Sequence, residues 1–197
     1  MFDEFMICMS SVPSRIREGM VLLSGDVLLL FNPLQIDFYG KGAAALSIKE
    51  PAEIGKNHGV YRVDGEGNVG GFLHKKTVEQ LQKLGASDDQ GNVDIDTGAV
   101  IFNSEMLQAL YQLVDTKEKF AAYVNESTRL SFYADFLYPL ASDSTLEQYY
   151  KETPEGDFTP ELEQCRTELW SVLHPYQMKL IRMSPAAFIH FGTTKEL

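Results

Sequence analysis

The sequence is poor in cysteine, poor in positive charge and free of long apolar runs, and each shortage excludes something. Only Cys8 and Cys165 occur among its 197 residues. Two thiols so far apart do not make a disulfide scaffold and point instead to a reduced, cytosolic setting. Lysine and arginine number 17 against 28 aspartate and glutamate, for a formal net charge of −11. That argues against a nucleic-acid partner, which requires a basic face to displace counterions. It leaves room for an anionic small ligand, because a local lysine cluster can outweigh a distant acidic surface. No apolar stretch approaches the ~20 residues needed to span a bilayer. The opening MFDEFMICMSSVPSR has early acidic residues where a signal peptide has a basic region and an apolar core. The expectation is a soluble, cytoplasmic protein with no membrane partner.

Several catalytic signatures are missing as well. The chain has no Gly-x-Ser-x-Gly elbow, no Walker loop and no Rossmann glycine fingerprint. His58, His74, His174 and His190 show no paired metal spacing. No internal repeat or low-complexity segment occurs.

What is present is an ordinary globular composition, 44% hydrophobic and 23% charged. A chain of this length buries about 70% of its unfolded surface. Phe2, Phe5, Met6 and Met9 recur at helical spacing before Pro13, and Val21–Leu23 and Ala43–Ile48 read as strands. HGVYRV and VGGFLH flank the turn DGEGN and predict a hairpin. Thr77 caps a helix that ends at Gly85, and SDDQGN is a loop. DIDTGAVIF is a strand, followed by a helix from Ser104 to about Val114. Helical pattern continues from Lys117 to about Ala141, Thr159 and Pro160 open another helix, and Tyr176–Met183 return to strand. Strands alternating with helices predict an α/β domain with a mainly parallel sheet.

Three stretches could carry chemistry. EGMVLLSGDVLLLFNP sets Asp26 between two runs that both read as buried. A buried carboxylate is costly without a compensating partner. A hard cation such as Mg²⁺, shared with phosphate oxygens at a strand's carboxyl end, would compensate it, with Gly25 allowing close approach; alternatively Asp26 is a turn residue with exposed oxygens. Lys75 and Lys76 lie between a strand end and a helix start, suited to a phosphate group or else a solvated loop. Asp94 and Asp96 flank Ile95 and face one side, next to Thr97 and Gly98, where they could hold a sugar hydroxyl, help a metal, or form a polar strand edge. SDDQGNVDID has no glycine at the sixth position and no closing glutamate, so it is not a calcium loop.

Taken in order, SGDV, GVYRVDGEGNVGGFLHKKTVEQL, DIDTGAVIF, SFYADFLYPLA and FIHFGTTKEL resemble the fucose-1-phosphate guanylyltransferase (GDP-fucose pyrophosphorylase) family. The resemblance is closest to the pyrophosphorylase half of bacterial bifunctional L-fucokinase/GDP-fucose pyrophosphorylase. It implies a Rossmann-like nucleotidyltransferase fold over residues 1–184, incomplete at the N-terminus, with 185–197 leading into a C-terminal β-helix. The implied reaction joins GTP and L-fucose 1-phosphate and releases pyrophosphate, within a larger parent enzyme. It places Mg²⁺ on Asp26, sugar phosphate on Lys75, and the sugar beside Gly25, Asp96, Thr97 and Gly98, with Tyr133 and Asp135 as pocket or supporting residues. Lys76 stands where relatives often carry proline. The family's Gly-rich nucleotide loop has no counterpart in this chain, so a silent sugar-phosphate or nucleotide-binding module is the rival expectation.

Overall fold

The computed structural model describes residues 19–191. The helix read at Phe2–Met9 and the terminal GTTKEL lie outside the described residues. Eight strands form two sheets. β1 (Gly19–Leu23), β3 (Ala43–Pro51), β4 (Gly59–Val63), β5 (Val69–His74), β6 (Asn92–Asn103) and β7 (Met178–Arg182) build a six-stranded sheet. Its order is β5-β4-β6-β3-β7, with β1 added along the C-terminal half of β6. β2 (Val27–Phe31) and β8 (Ala186–His190) form a separate antiparallel ribbon.

The pairing corrects the expectation of a mainly parallel sheet, since among the described strands only β3 and β7 pair in parallel. α1 (Ala52–Gly55) leads from β3 to β4 and α2 (Val78–Lys83) from β5 to β6. Each of these two pairs points the same way, but a strand of opposite direction lies between its members, β6 and β4 respectively, so the hydrogen-bonded neighbours are antiparallel. The long excursion before β7 carries the chain past β3 and lays β7 parallel to it at the sheet edge. It holds α3 (Ser104–Tyr111), α4 (Lys117–Tyr123), α5 (Leu146–Lys151) and α6 (Pro160–Leu173).

The helix read continuously from 117 to about 141 is broken. Asn125 donates to the carbonyls of Ala121 and Ala122 and accepts from the amides of Ser127 and Thr128. Its side chain thus competes with the helix ladder and ends α4. A π-helical turn, Phe132–Leu137, and a 3₁₀ turn, Tyr138–Leu140, follow.

The hairpin stands as read. Asp64 accepts from the amides of Glu66 and Asn68, and Gly67 takes φ +81. Thr77 caps α2 reciprocally with Gln80, and Gly85 (φ +70) follows its end. β3 and β6 are buried on both faces, with Ala43, Ala44 and Ala45 small enough to admit layers on each side. One core joins Leu46, Ile48, Val60, Ile95 and Ile101 to Leu81 and to the inward residues of the β2–β8 ribbon. The other joins Tyr61, Val100 and Phe102 to Met106, Leu137, Leu169 and Leu173 of the helical layer.

Candidate functional site

β6 carries the centre of the site. Ser47 pairs with Asp96 but Leu46 pairs with Ala99, so Thr97 and Gly98 bulge out of the ladder. Thr97 Oγ1 donates to the Leu46 carbonyl at 2.7 Å, closing the bulge from inside. Gly98 takes φ +68, and a Cβ there would collide with the Ser24 side chain. The Ser24 amide donates to the Gly98 carbonyl at 2.9 Å. This contact ties the turn between β1 and β2, which holds Gly25 and Asp26, to the Asp96–Gly98 bulge.

Asp96 is only 8% exposed and has no lysine or arginine partner among the described residues. Three donors satisfy it instead. Tyr61 Oη and the Gly98 amide reach Oδ1 at 2.8 and 2.9 Å, and Tyr133 Oη reaches Oδ2 at 2.8 Å. Burial, and then the neighbouring Asp96 charge and hydrogen bond, push both phenols well above their ordinary range. Both hydroxyls therefore remain protonated donors. Phe72 stacks on Tyr133 with centroids 4.8 Å apart and leans on Tyr61 at 5.5 Å. Gly59 makes room for it, because any Cβ there would strike the Phe72 ring.

Asp26 corrects the expectation drawn from its flanks. The runs on either side are only partly buried, and its side chain is 55% exposed. β1 does not end at the edge of a parallel sheet; it turns straight into β2. Asp26 Oδ2 lies 3.1 Å from His190 Nε2, and the Phe191 amide donates to the Asp26 carbonyl. His190 lies 6.1 Å from His58, centroid to centroid, and both rings contact Phe188. Burial, followed by the charge of His190, lowers the His58 pKa, with Asp96 opposing.

Lys75 is tied to His58 through its backbone. Its amide donates to the His58 carbonyl at 3.3 Å, its φ is 48°, and its exposed side chain forms no ion pair among the described residues. Lys76 is half-buried beside it.

The carboxylates thus divide. The Ser24–Gly98 bond brings the Asp26 turn beside the bulge of Asp96, Thr97 and Gly98, with Tyr133 on Asp96, while Lys75 is linked to this region through its backbone bond to His58. Asp94 is occupied by Arg182 in a bidentate pair at 2.7 and 2.9 Å. Asp135 turns away, fully buried, to pair with Arg166 at 2.7 Å. Tyr61, His58 and His190 have no signal in the linear pattern, since a strand tyrosine and isolated histidines read as ordinary core or surface.

Among the described residues, no three His, Cys, Asp or Glu side chains converge as a protein-only metal cage. Mg²⁺ rarely uses one; it takes one or two carboxylates and completes its shell with water and phosphate. The open carboxylate of Asp26 fits that role. Asp96 fits it less well, because both its oxygens already accept hydrogen bonds.

A buried carboxylate held by two tyrosines and an exposed one on the adjoining turn are the polar groups that the β6 bulge brings together. The fucose pyrophosphorylase domain profile matches residues 1–197 in full. The chain belongs to that family, a class of sugar-phosphate nucleotidyltransferase domains. No curated protein matches it. Among solved structures it is similar to HddC from Yersinia pseudotuberculosis complexed with GMP-PN, with 13% identity, a TM-score of 0.44, and coverage of 91% of this chain and 52% of that one. A second structure of the same protein matches at 13% identity and a TM-score of 0.43, over 96% and 56% of the two chains. The chain spans about half the length of these structures. Among the described residues, no helix is long and apolar enough to cross a membrane.

Proposed function

We propose that the chain forms the sugar-phosphate side of a fucose-1-phosphate guanylyltransferase acting within a larger enzyme. The observation that carries this reading is the Ser24–Gly98 bond, which brings the Asp26 turn and the Asp96 bulge together in a chain of this family.

In the proposed reaction a phosphate oxygen of L-fucose 1-phosphate attacks the α-phosphorus of GTP. The new P–O bond forms as the α–β bridge breaks, and its electron pair leaves with pyrophosphate. No covalent enzyme intermediate and no net proton transfer are required. Asp26 would hold Mg²⁺, which when bound offsets the charge of the phosphates. Lys75, free and exposed, supplies a point charge for the sugar phosphate. The Thr97–Gly98 backbone and the Asp96 carboxylate, held by Tyr61 and Tyr133, line the sugar side.

Pyrophosphate release from GTP and L-fucose 1-phosphate with Mg²⁺ tests this in the intact enzyme. Asp26→Ala is expected to lower kcat by orders of magnitude. Lys75→Ala is expected to raise KM for the sugar phosphate by about tenfold, the loss of one charge-assisted contact. Unchanged constants in both variants would remove these residues from the reaction. Binding of both substrates without pyrophosphate release would favour the silent binding module.

A further inference from the structure

Away from this site, a cavity of about 250 Å³ opens at the start of α6, lined by Tyr150, Phe158, Thr159, Pro160, Leu162, Glu163 and Arg166. Arg166 is the unusual member, a guanidinium only 1% exposed. Its Nε donates to Asp135, and its Nη1 donates to the carbonyls of Tyr149, Tyr150 and Glu152. Nη2 is buried and has no partner. A buried donor left unpaired is costly, more so when charged, so a group this well anchored with one empty edge calls for an acceptor. The Phe158 ring stands 6.0 Å from the guanidinium carbon and is 65% exposed. A ligand would reach Nη2 by displacing this exposed ring beside the guanidinium.

Charge decides what kind of acceptor fits. Asp135 already balances Arg166, and Glu163 adds a negative group at the rim. An anion would meet net repulsion there, whereas a neutral oxygen would not. Tyr150, Phe158, Pro160 and Leu162 make most of the wall aromatic or apolar, and the volume is below the ~300–1,000 Å³ of drug-sized pockets. We propose that the cavity is a binding site for a single neutral ring bearing a keto or amide oxygen, which accepts from Arg166 Nη2 while its face packs on Phe158. The site is independent of the sugar-phosphate reading, although it backs onto the same π-helical turn. Asp135 on that turn faces Arg166, and Tyr133 faces Asp96.

Benzamide, benzoate and toluene separate the possibilities, as the neutral acceptor, its anionic counterpart and a ring without an acceptor. Binding is read by ligand-observed NMR and by fluorescence of Trp170, 5.4 Å from the Tyr149 ring that lies against Arg166. Benzamide is expected to bind saturably, and the other two roughly tenfold or more weaker, the worth of a hydrogen bond from a charged donor. Phe158→Ala, at an exposed position, should weaken benzamide severalfold with the fold unchanged. Arg166→Lys, which keeps a cation for Asp135 but removes the second nitrogen, should abolish the preference for benzamide over toluene. Benzoate binding as tightly as benzamide, toluene binding equally well, or no saturable binding to the folded chain would each overturn the proposal.

Discussion

Asp96 shows how a carboxylate can be kept inside this protein without a cation. Two phenols and one amide satisfy its oxygens, and the phenols stay protonated because burial and the carboxylate itself oppose their ionisation. Removing one donor leaves a buried oxygen short of a partner. Tyr61→Phe is therefore expected to cost about 2 kcal/mol, as for a hydrogen bond to a charged group. Urea unfolding monitored by circular dichroism measures it, and a loss below experimental error would mean that Tyr61 does not support Asp96. Asp96 and Gly98 were within reach of the sequence through DIDTG, and Tyr133 through the family resemblance, but Tyr61 was not. Asp26 drew attention because apolar residues surround it, yet hydropathy alone does not tell a buried strand from two half-exposed strands meeting at a turn. The same limit hid Arg166, since an arginine on an amphipathic helix reads as solvent-facing until its neighbours are known.

Among the elements, β6 does most to position the site. Its bulge turns Asp96 inward and anchors the Asp26 turn, and Gly98 serves both needs through a positive φ and the absence of a Cβ against Ser24. Gly67 shares the positive φ but has open space where a Cβ would lie. Gly98→Ala is expected to cost about 2–4 kcal/mol, backbone strain plus overpacking, whereas Gly67→Ala should carry only the strain, about 1–2 kcal/mol. Equal losses in parallel denaturant titrations would show that the Ser24 contact does not constrain the bulge. The hairpin, the capped helix α2 and α6 were all legible in sequence because turn and cap residues act locally. The break after α4 was not, because aromatics continue the apolar pattern across it. Asn125 ends the helix through side-chain bonds that a hydrophobic count does not register.

At the scale of the molecule, one sheet is covered on one face by helices and on the other by the β2–β8 ribbon with two short helices. The ribbon brings His190 to Asp26 and sets His58 against Phe188, joining chain segments more than 100 residues apart. His58 loses proton affinity in this setting, first through burial and then through the charge of His190, against the pull of Asp96. Its folded-state pKa lies below the ordinary 6.5, so the unfolded chain binds the proton more readily. The stability linked to His58 is complete above 6.5 and declines as pH falls through the lowered value. Thermal melts from roughly pH 7.5 to 5.5 should show a falling Tm, less steep in His58→Gln. An equal slope in the variant would place the titration elsewhere.

The sequence by itself determined the α/β character, most element positions, the hairpin and the family, because these depend on local propensities and on motifs in order. Only the tertiary structure decided that the sheet is mostly antiparallel, that Asp26 is exposed while Asp96 is buried, and that Asp135 pairs with Arg166. Pairing direction and charge compensation depend on which distant residues meet, and those contacts arise only when the layers close.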